Sequence, residues 1–86
     1  MWNKINVDAY NPHLTYEVNN KNGMNLPTEW TPVLICDVDD SKIGYFVGRF
    51  YQDTLTKEIY CMTCWKWKYK YLNNLRWQYF DFCEEA

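Results

Sequence analysis

Seven residues decide the fold of this chain: Trp65-Lys66-Trp67-Lys68-Tyr69-Lys70-Tyr71, in which aromatic residues and lysines alternate strictly. A period of two is what a β-strand needs when one of its faces is buried and the other is solvated. A helix, with about 3.6 residues per turn, would spread the aromatic rings around its whole surface. The pattern therefore predicts a strand with its aromatic side in the core and its lysine side in solvent.

The residues that follow predict a partner for this strand. Asn73-Asn74 suits a two-residue hairpin loop, because asparagine tolerates the positive φ that such turns require. Counted outward from that loop, one face pairs large aromatic residues and the other lines lysines against aromatic rings and an acid. We therefore expect a hairpin with the pairs Tyr71–Arg76, Tyr69–Gln78, Trp67–Phe80 and Trp65–Phe82 on the core face, and Lys70–Trp77, Lys68–Tyr79, Lys66–Asp81 and Cys64–Cys83 on the other.

The middle of the chain predicts further strands. Val33–Cys36 is a short apolar run with β-branched members, which is typical of a buried strand. Residues 43–51 predict a second strand, in which Gly44 and Gly48 mark a bulge or a close approach of the backbone. Residues 58–71 predict one long strand or two strands joined by a bulge.

Residues 1–30 form the least regular segment of the chain, and their pattern is compatible with either a hairpin or an arm. Leu14–Val18 alternates apolar and polar residues and therefore predicts a strand, and the asparagine-rich residues 19–23 predict a turn. We expect one domain over residues 1–86 with a mainly β fold. Its small antiparallel sheet would be a meander of about four to five strands, with room for one short helix within residues 1–30.

Composition limits the class of protein. The chain has 86 residues, a formal net charge of −2 and an aromatic content of 20%, so large rings can build a core without a metal or a disulfide. Residues 66–80 hold four basic residues and no acid, and one such strip does not suit tight binding of duplex DNA. No leader peptide or membrane span is expected. These features predict a soluble protein in the cytoplasm of a host cell.

The four cysteines raise the question of a metal. Cys61-Met62-Thr63-Cys64 has the spacing of one half of a zinc site. Within a strand, however, residues i and i+3 point to opposite faces. Buried thiols that pack as small apolar groups are therefore the expectation, with no cofactor. Zinc bound by Cys61 and Cys64 and redox chemistry are the alternatives.

The sequence does not favour an enzyme. Asp37-Val38-Asp39-Asp40-Ser41 is similar to the start of a calcium loop, but Lys42 and Gly48 occupy the positions that require glycine and glutamate. His13 is the only histidine and has no nucleophile near it in the sequence. A solvated turn and a surface histidine are the simpler interpretations.

A candidate binding surface follows from the predicted hairpin. Aromatic platforms beside cations bind nucleotides and single-stranded nucleic acid, and Trp, Tyr and Arg also dominate protein interfaces. The same pattern is also compatible with an aromatic core whose lysines keep an exposed sheet soluble. The candidate binding residues are Lys66, Lys68, Lys70, Arg76, Trp77 and Tyr79.

The segment Leu26-Pro27-Thr28-Glu29-Trp30-Thr31-Pro32-Val33-Leu34-Ile35 resembles the LP…PVLV opening of a family of small uncharacterised phage and prophage proteins. Gly44-Tyr45-Phe46 and Trp77 are similar to a later Gly-x-aromatic strand and tryptophan of that family. The resemblance implies a small antiparallel fold and an origin in a mobile element, and it brings no known active site.

These observations together lead to a functional expectation. We expect a non-enzymatic accessory protein that binds and inhibits a host protein, such as a component of a defence system, in the manner of anti-CRISPR proteins. The alternative is a binder of nucleotides or single-stranded nucleic acid that uses the face with lysines and aromatic rings. No membrane partner is expected, and an exposed strand edge would allow a homodimer.

Overall fold

A computed structural model of the chain describes residues 2–39, 44–63 and 72–80, and the backbone of residues 68–69. Within these residues all strands join one antiparallel sheet in the order β1-β6-β2-β3-β4-β5. The predicted mainly β fold is confirmed, and β2 to β5 cross the sheet as a meander. The strands are β1 (Asn3–Lys4), β2 (Val33–Asp37), β3 (Tyr45–Gln52), β4 (Ile59–Thr63), β5 (Lys68–Tyr69) and β6 (Leu75–Gln78).

The predicted hairpin between the last two strands is wrong. β6 lies between β1 and β2, whereas β5 pairs with β4 at the other end of the sheet. Tyr69 therefore lies opposite Cys61, and Gln78 lies opposite Leu34. The pairing of β4 with β5 also excludes one continuous strand over residues 58–71, because the chain reverses direction between them.

Two physical reasons explain the different pairing. Asn73 and Asn74 belong to a 3-10 turn, Leu72–Asn74, rather than to a two-residue hairpin loop. In addition, the pairing of β6 with β2 places the side chains of Leu75 and Trp77 in the core. Burial of apolar area outweighs the local turn preference of two asparagines. Residues 64–67, 70 and 71 of the alternating stretch lie outside the described residues.

The first third of the chain contains the short helix, α1 (Tyr16–Asn19), so the strand predicted at residues 14–18 is wrong. Thr15 caps the helix, because its side-chain oxygen accepts a hydrogen bond from the Val18 N–H at 3.2 Å. A π-helical turn, Asn20–Met24, follows, with Gly23 at a φ of 110°. The apparent alternation arose because this helix is too short to show a helical period.

Asn19 is the polar centre of this segment and is fully buried. Its side-chain oxygen accepts a hydrogen bond from the Asn11 N–H at 2.7 Å. Its amide nitrogen donates to the carbonyl oxygens of Asn11, Leu14 and Thr15 at 3.0–3.3 Å. One side chain thus replaces the backbone pairing that this irregular loop lacks.

The core lies on one face of the sheet, which we call the inner face. Inward residues of the strands alternate with outward ones, and the segment of residues 5–27 packs over the inward set. Leu72 joins the core from the 3-10 turn before β6. The described core consists of Ile5, Tyr16, Met24, Leu26, Val33, Ile35, Phe50, Ile59, Cys61, Leu72, Leu75 and Trp77.

Gly48 shows why β3 needs a glycine on its inner face. A Cβ atom at this position would lie 2.7 Å from Ile35 Cδ1, 3.0 Å from the Met62 carbonyl oxygen and 3.1 Å from Cys61 Sγ. The predicted close approach of the backbone is therefore confirmed at Gly48.

Within the described residues, no helix is long and apolar enough to cross a membrane.

We expect Gly48→Ala to lower the free energy of unfolding by about 1–3 kcal/mol, because the methyl group overlaps Ile35 Cδ1 and presses on a backbone oxygen that cannot move alone. In an 86-residue domain this corresponds to a fall in melting temperature of about 4–8 °C per kcal/mol. Val47→Thr, one residue away on the opposite face, is the control and should change stability little. Equal melting temperatures for the two variants would contradict the close packing at Gly48.

We expect Asn19→Ala to cost about 2–4 kcal/mol of unfolding free energy, because it removes the four hydrogen bonds of a fully buried side chain and takes the acceptor from the Asn11 N–H. Asn22→Ala is the matched control, since Asn22 is exposed in the turn that follows. Urea denaturation of both variants measures the difference. A loss for Asn19→Ala no larger than that for Asn22→Ala would show that water replaces these hydrogen bonds.

Candidate binding surface

The side of the sheet opposite the core is its most unusual feature. Strand alternation and register place one residue in two on this side, which we call the outer face. The positions are apolar, aromatic or cationic for the most part, and none of them is acidic. The outer face consists of Lys4, Leu34, Cys36, Tyr45, Val47, Arg49, Tyr51, Tyr60, Met62, Arg76 and Gln78.

Part of this surface, around Tyr45 and Val47, is accessible to solvent. Tyr45 is 68% exposed, although its ring contacts that of Trp2 at 5.4 Å between centroids, and Val47 and Arg49 are exposed beside it. In a small domain, large apolar side chains gathered on one exposed face usually mark an interaction site. The outer face is therefore the candidate binding surface.

Its charge is positive. Arg49 and Lys4 are exposed, and Arg76 is half-buried with Nη1 donating to the carbonyl oxygens of Asn73 and Leu75, both at 3.0 Å. The backbone of Lys68 pairs with Met62 at the far edge of the same sheet. A protein with a net charge of −2 thus carries a cationic face, which favours an acidic partner.

One end of the outer face carries a row of three aromatic rings. Trp30 stacks on Tyr51 with 4.5 Å between ring centroids and an interplanar angle of 17°. Tyr51 in turn contacts Tyr60 at 5.8 Å. Trp30 itself remains 51% exposed, so the row ends in a rigidly held ring that faces solvent. The turn that joins β3 to β4 at this end carries Leu55, which is almost fully exposed.

The backbone of Trp30 is held in an unfavourable conformation. Its φ is 66°, in the left-handed region that bulky residues rarely adopt. Its N–H donates to the Phe50 carbonyl oxygen at 2.9 Å, which ties the residue to the end of β3. Such strain costs about 1–3 kcal/mol and is concentrated at functional sites. A tryptophan that is strained and still half exposed therefore points to a role in binding.

Trp30 also borders a groove of about 520 Å³, which we call the Trp30 groove. It separates α1 and the π-helical turn from the segment that leads into β2. The lining is aromatic and charged, with two carboxylates and one ammonium group. The residues that line the Trp30 groove are Tyr16, Glu17, Asn20, Lys21, Thr28, Glu29 and Trp30.

The polar groups of the groove floor are fixed in place. Oε2 of Glu29 accepts the Gln52 N–H at 3.0 Å, so the carboxylate is anchored to β3. Tyr16 donates its hydroxyl proton to the Pro27 carbonyl oxygen at 2.7 Å. Burial, with the nearby Glu29 charge adding to it, raises the pKa of Tyr16 far above its usual value. The phenol therefore stays protonated and does not compete as an anion.

The structure describes the side chains of three residues predicted as a binding platform, Arg76, Trp77 and Tyr79, and it places Trp77 in the core. Trp77 is 4% exposed and belongs to the core, where its Nε1–H donates to the Asn25 carbonyl oxygen at 3.0 Å. Tyr79 is half exposed, packs edge-on against Trp77, and its hydroxyl accepts the Thr28 N–H at 2.9 Å. Arg76 is on the outer face, whereas Lys66 and Lys70 lie outside the described residues. The predicted Lys68–Tyr79 and Lys70–Trp77 neighbours depended on the hairpin that the structure replaces.

Cys61 fits the expectation that the cysteines are buried thiols packed as small apolar groups. Its thiol is fully buried beside Gly48, and burial raises the pKa of Cys61 to about 12. Cys36 is half-buried on the outer face, whereas Cys64 and Cys83 lie outside the described residues. Among residues 2–39, 44–63 and 72–80, no three His, Cys, Asp or Glu side chains gather as a metal site would require.

The other polar candidates lie in turns. His13 is exposed, and its N–H donates to Asn11 Oδ1 at 2.9 Å. Oδ1 of Asp37 accepts the Asp39 N–H at 2.9 Å, which is the hydrogen bond of an Asx turn. Within the described part of Asp37–Ser41, this carboxylate therefore stabilises a turn.

Sequence reasoning did not identify Trp30, Arg49 or the two glutamates of the groove. A signal was nevertheless present in β2 and β3. Val33–Cys36 is apolar at every position, and residues 45–51 carry large side chains at both odd and even positions. Apolar residues on both faces require a covering layer on each side of the sheet, and the described chain supplies such a layer on one.

Comparison with known proteins adds no relative. No protein-family model matches the chain, and no curated protein or solved structure matches it either. The resemblance to phage and prophage proteins therefore stays a prediction.

We expect the Cys61 thiol to resist alkylation in the folded protein. In a variant with Cys36→Ser, Cys64→Ser and Cys83→Ser, iodoacetamide at pH 8 should react about a thousandfold or more slower than with an ordinary thiol, because the raised pKa leaves little thiolate. Guanidinium chloride should restore the usual rate. A variant that retains Cys36 alone is the control, since that thiol is half-buried. Equally fast labelling of Cys61 would place it at the surface, as zinc binding or redox chemistry requires.

Proposed function

We propose that this protein acts by binding, and that its outer face docks on an acidic surface of a partner protein. The observation that carries the proposal is the composition of the outer face, whose described residues are mainly aromatic, apolar and cationic and include no carboxylate. Cores of protein interfaces are enriched in Tyr, Trp, Met and Arg and depleted in Asp and Glu. The exposed Tyr45, the row that ends in Trp30 and the guanidinium of Arg49 would be its anchors.

Charge argues that the partner is not a second copy docked through the same face. A symmetric dimer places one patch against itself. Arg49, Arg76 and Lys4 would then meet other cations, with no carboxylate on the outer face to compensate them. Like charges brought together in this way oppose association. An acidic partner relieves this repulsion.

The biological setting comes from the sequence resemblance. In a phage or prophage context the partner would be a host protein, and occupation of its acidic surface would inhibit it. Inhibition of a host defence component is the form of this proposal that the resemblance suggests, and no catalytic step is required of the chain.

We expect Arg49→Glu to abolish capture of a partner that the wild-type protein retains from a host-cell lysate. With the purified partner, calorimetry should show binding weakened about tenfold or more, because one cation is replaced by an anion in the interface. Raising the salt concentration should weaken wild-type binding in the same direction. The melting temperature of the variant should stay near that of the wild type, since Arg49 is exposed.

Lys57→Glu is the matched control. It makes the same change in net charge at an exposed cation in the turn between β3 and β4, outside the outer face. A partner lost equally from both variants, or from neither, would contradict the proposal. A labelled single-stranded oligonucleotide tests the alternative function. If the wild-type protein binds it and Arg49→Glu does not, the ligand of the outer face is nucleic acid and not a protein.

A further inference from the structure

The Trp30 groove adjoins the outer face but differs from it in charge. Trp30 belongs to both, since its ring stacks on Tyr51 of the outer face and also lines the groove. The outer face carries cations, whereas the groove contains Glu17 and Glu29 against the single cation Lys21. A molecule that covers the outer face would therefore meet a site of opposite charge at its edge.

The two carboxylates of the groove have no cationic partner among the residues that the structure describes. Within the described part of the chain, neither Glu17 nor Glu29 forms an ion pair, although Lys21 lies one helical turn after Glu17. Glu29 is half-buried and is oriented by the Gln52 N–H. A fixed, partly buried carboxylate beside an exposed aromatic ring is a favourable environment for an organic cation.

The geometry of the cationic group decides which cation suits the groove better. An ammonium group concentrates its charge at one point, so it either lies over a ring or approaches a carboxylate closely. A guanidinium group is flat, and it stacks on an aromatic ring while its N–H groups donate in its plane. With about 520 Å³ of open space, the groove has room for such a side chain between Trp30 and the glutamates.

We propose that the Trp30 groove receives an arginine side chain of the protein that docks on the outer face, with the guanidinium stacked on Trp30 and bound to the Glu29 and Glu17 carboxylates. This inference rests on the proposed function for the source of the arginine. The recognition chemistry belongs to the groove alone. Neither Arg49 nor Arg76 of the outer face contributes to it.

The experiment uses a peptide, so that it does not depend on finding the partner. N-acetyl-Ala-Arg-Ala-amide is titrated into the isotope-labelled full chain at low salt, and the amide signals of Glu29 and Trp30 are followed by NMR. We expect saturable shifts at these residues. The same peptide with citrulline, which has the shape of arginine without its charge, should give none, and the lysine peptide should bind several-fold more weakly.

Variants locate the site. Glu29→Gln keeps an oxygen for the Gln52 N–H but loses the charge, and it should weaken arginine-peptide binding about tenfold or more. Glu17→Gln should weaken it less, because Glu17 is exposed. Asp8→Asn, at an exposed carboxylate that does not line the groove, should leave binding unchanged, and so should Arg49→Glu.

The outcomes separate the two proposals. No shift with the arginine peptide, equal shifts with the citrulline or lysine peptide, or shifts that persist in both glutamate variants would overturn the arginine site. Loss of partner capture by Arg49→Glu with arginine-peptide binding intact would support both proposals. If the arginine peptide binds but no protein partner depends on Arg49, the groove remains a guanidinium site. The idea that the arginine comes from a protein docked on the outer face would then be overturned.

Discussion

Packing of the N-terminal third of the chain against the inner face of one sheet is the interaction on which the structure depends. Residues 5–27 supply Ile5, Tyr16, Met24 and Leu26 to the core, and no regular helix of ordinary length is available to do so. Side-chain hydrogen bonds compensate for the missing regularity. Asn19 satisfies the loop around α1, and the Asn20 side chain pairs with both backbone groups of Leu26 at 2.7 and 2.8 Å. The cost of ordering an irregular segment is thus offset by burial and by a few asparagines.

The same arrangement determines where the candidate binding surface lies. A sheet of β-branched and aromatic residues has two faces to bury, and two packed layers bury only one of them. In the described part of the chain the other face keeps Tyr45, Val47 and Arg49 in solvent. Trp2 and Trp30 shield parts of that face through ring contacts with Tyr45 and Tyr51. The proposed partner would remove the remaining apolar surface from water, and this burial would stabilise the complex.

The strands that were predictable from the sequence are those whose pattern is local. The composition of Val33–Cys36 and of residues 43–51 predicts β2 and β3, and Gly48 predicts a close contact. The position of β6 was not predictable, because the choice between β5 and β2 as its neighbour depends on which pairing buries Leu75 and Trp77. Trp77 lies in the core rather than on the predicted lysine face for the same reason, since one register decides which of two faces a tryptophan occupies. The Trp30 groove combines residues from α1 and from the segment before β2, and no spacing in the sequence brings them together.

At the candidate binding surface, Trp30 combines an unfavourable backbone conformation with a favourable ring contact. An asparagine or glycine would adopt a φ of 66° with little strain, as Asn25 does at 63°. The chain instead places there its largest side chain, holds it by the N–H bond to Phe50 and stacks it on Tyr51. Stacking recovers part of the strain energy, but half of the ring stays in water. Half of the ring therefore stays exposed in the folded chain, and the bound group proposed above would add favourable contacts by covering it.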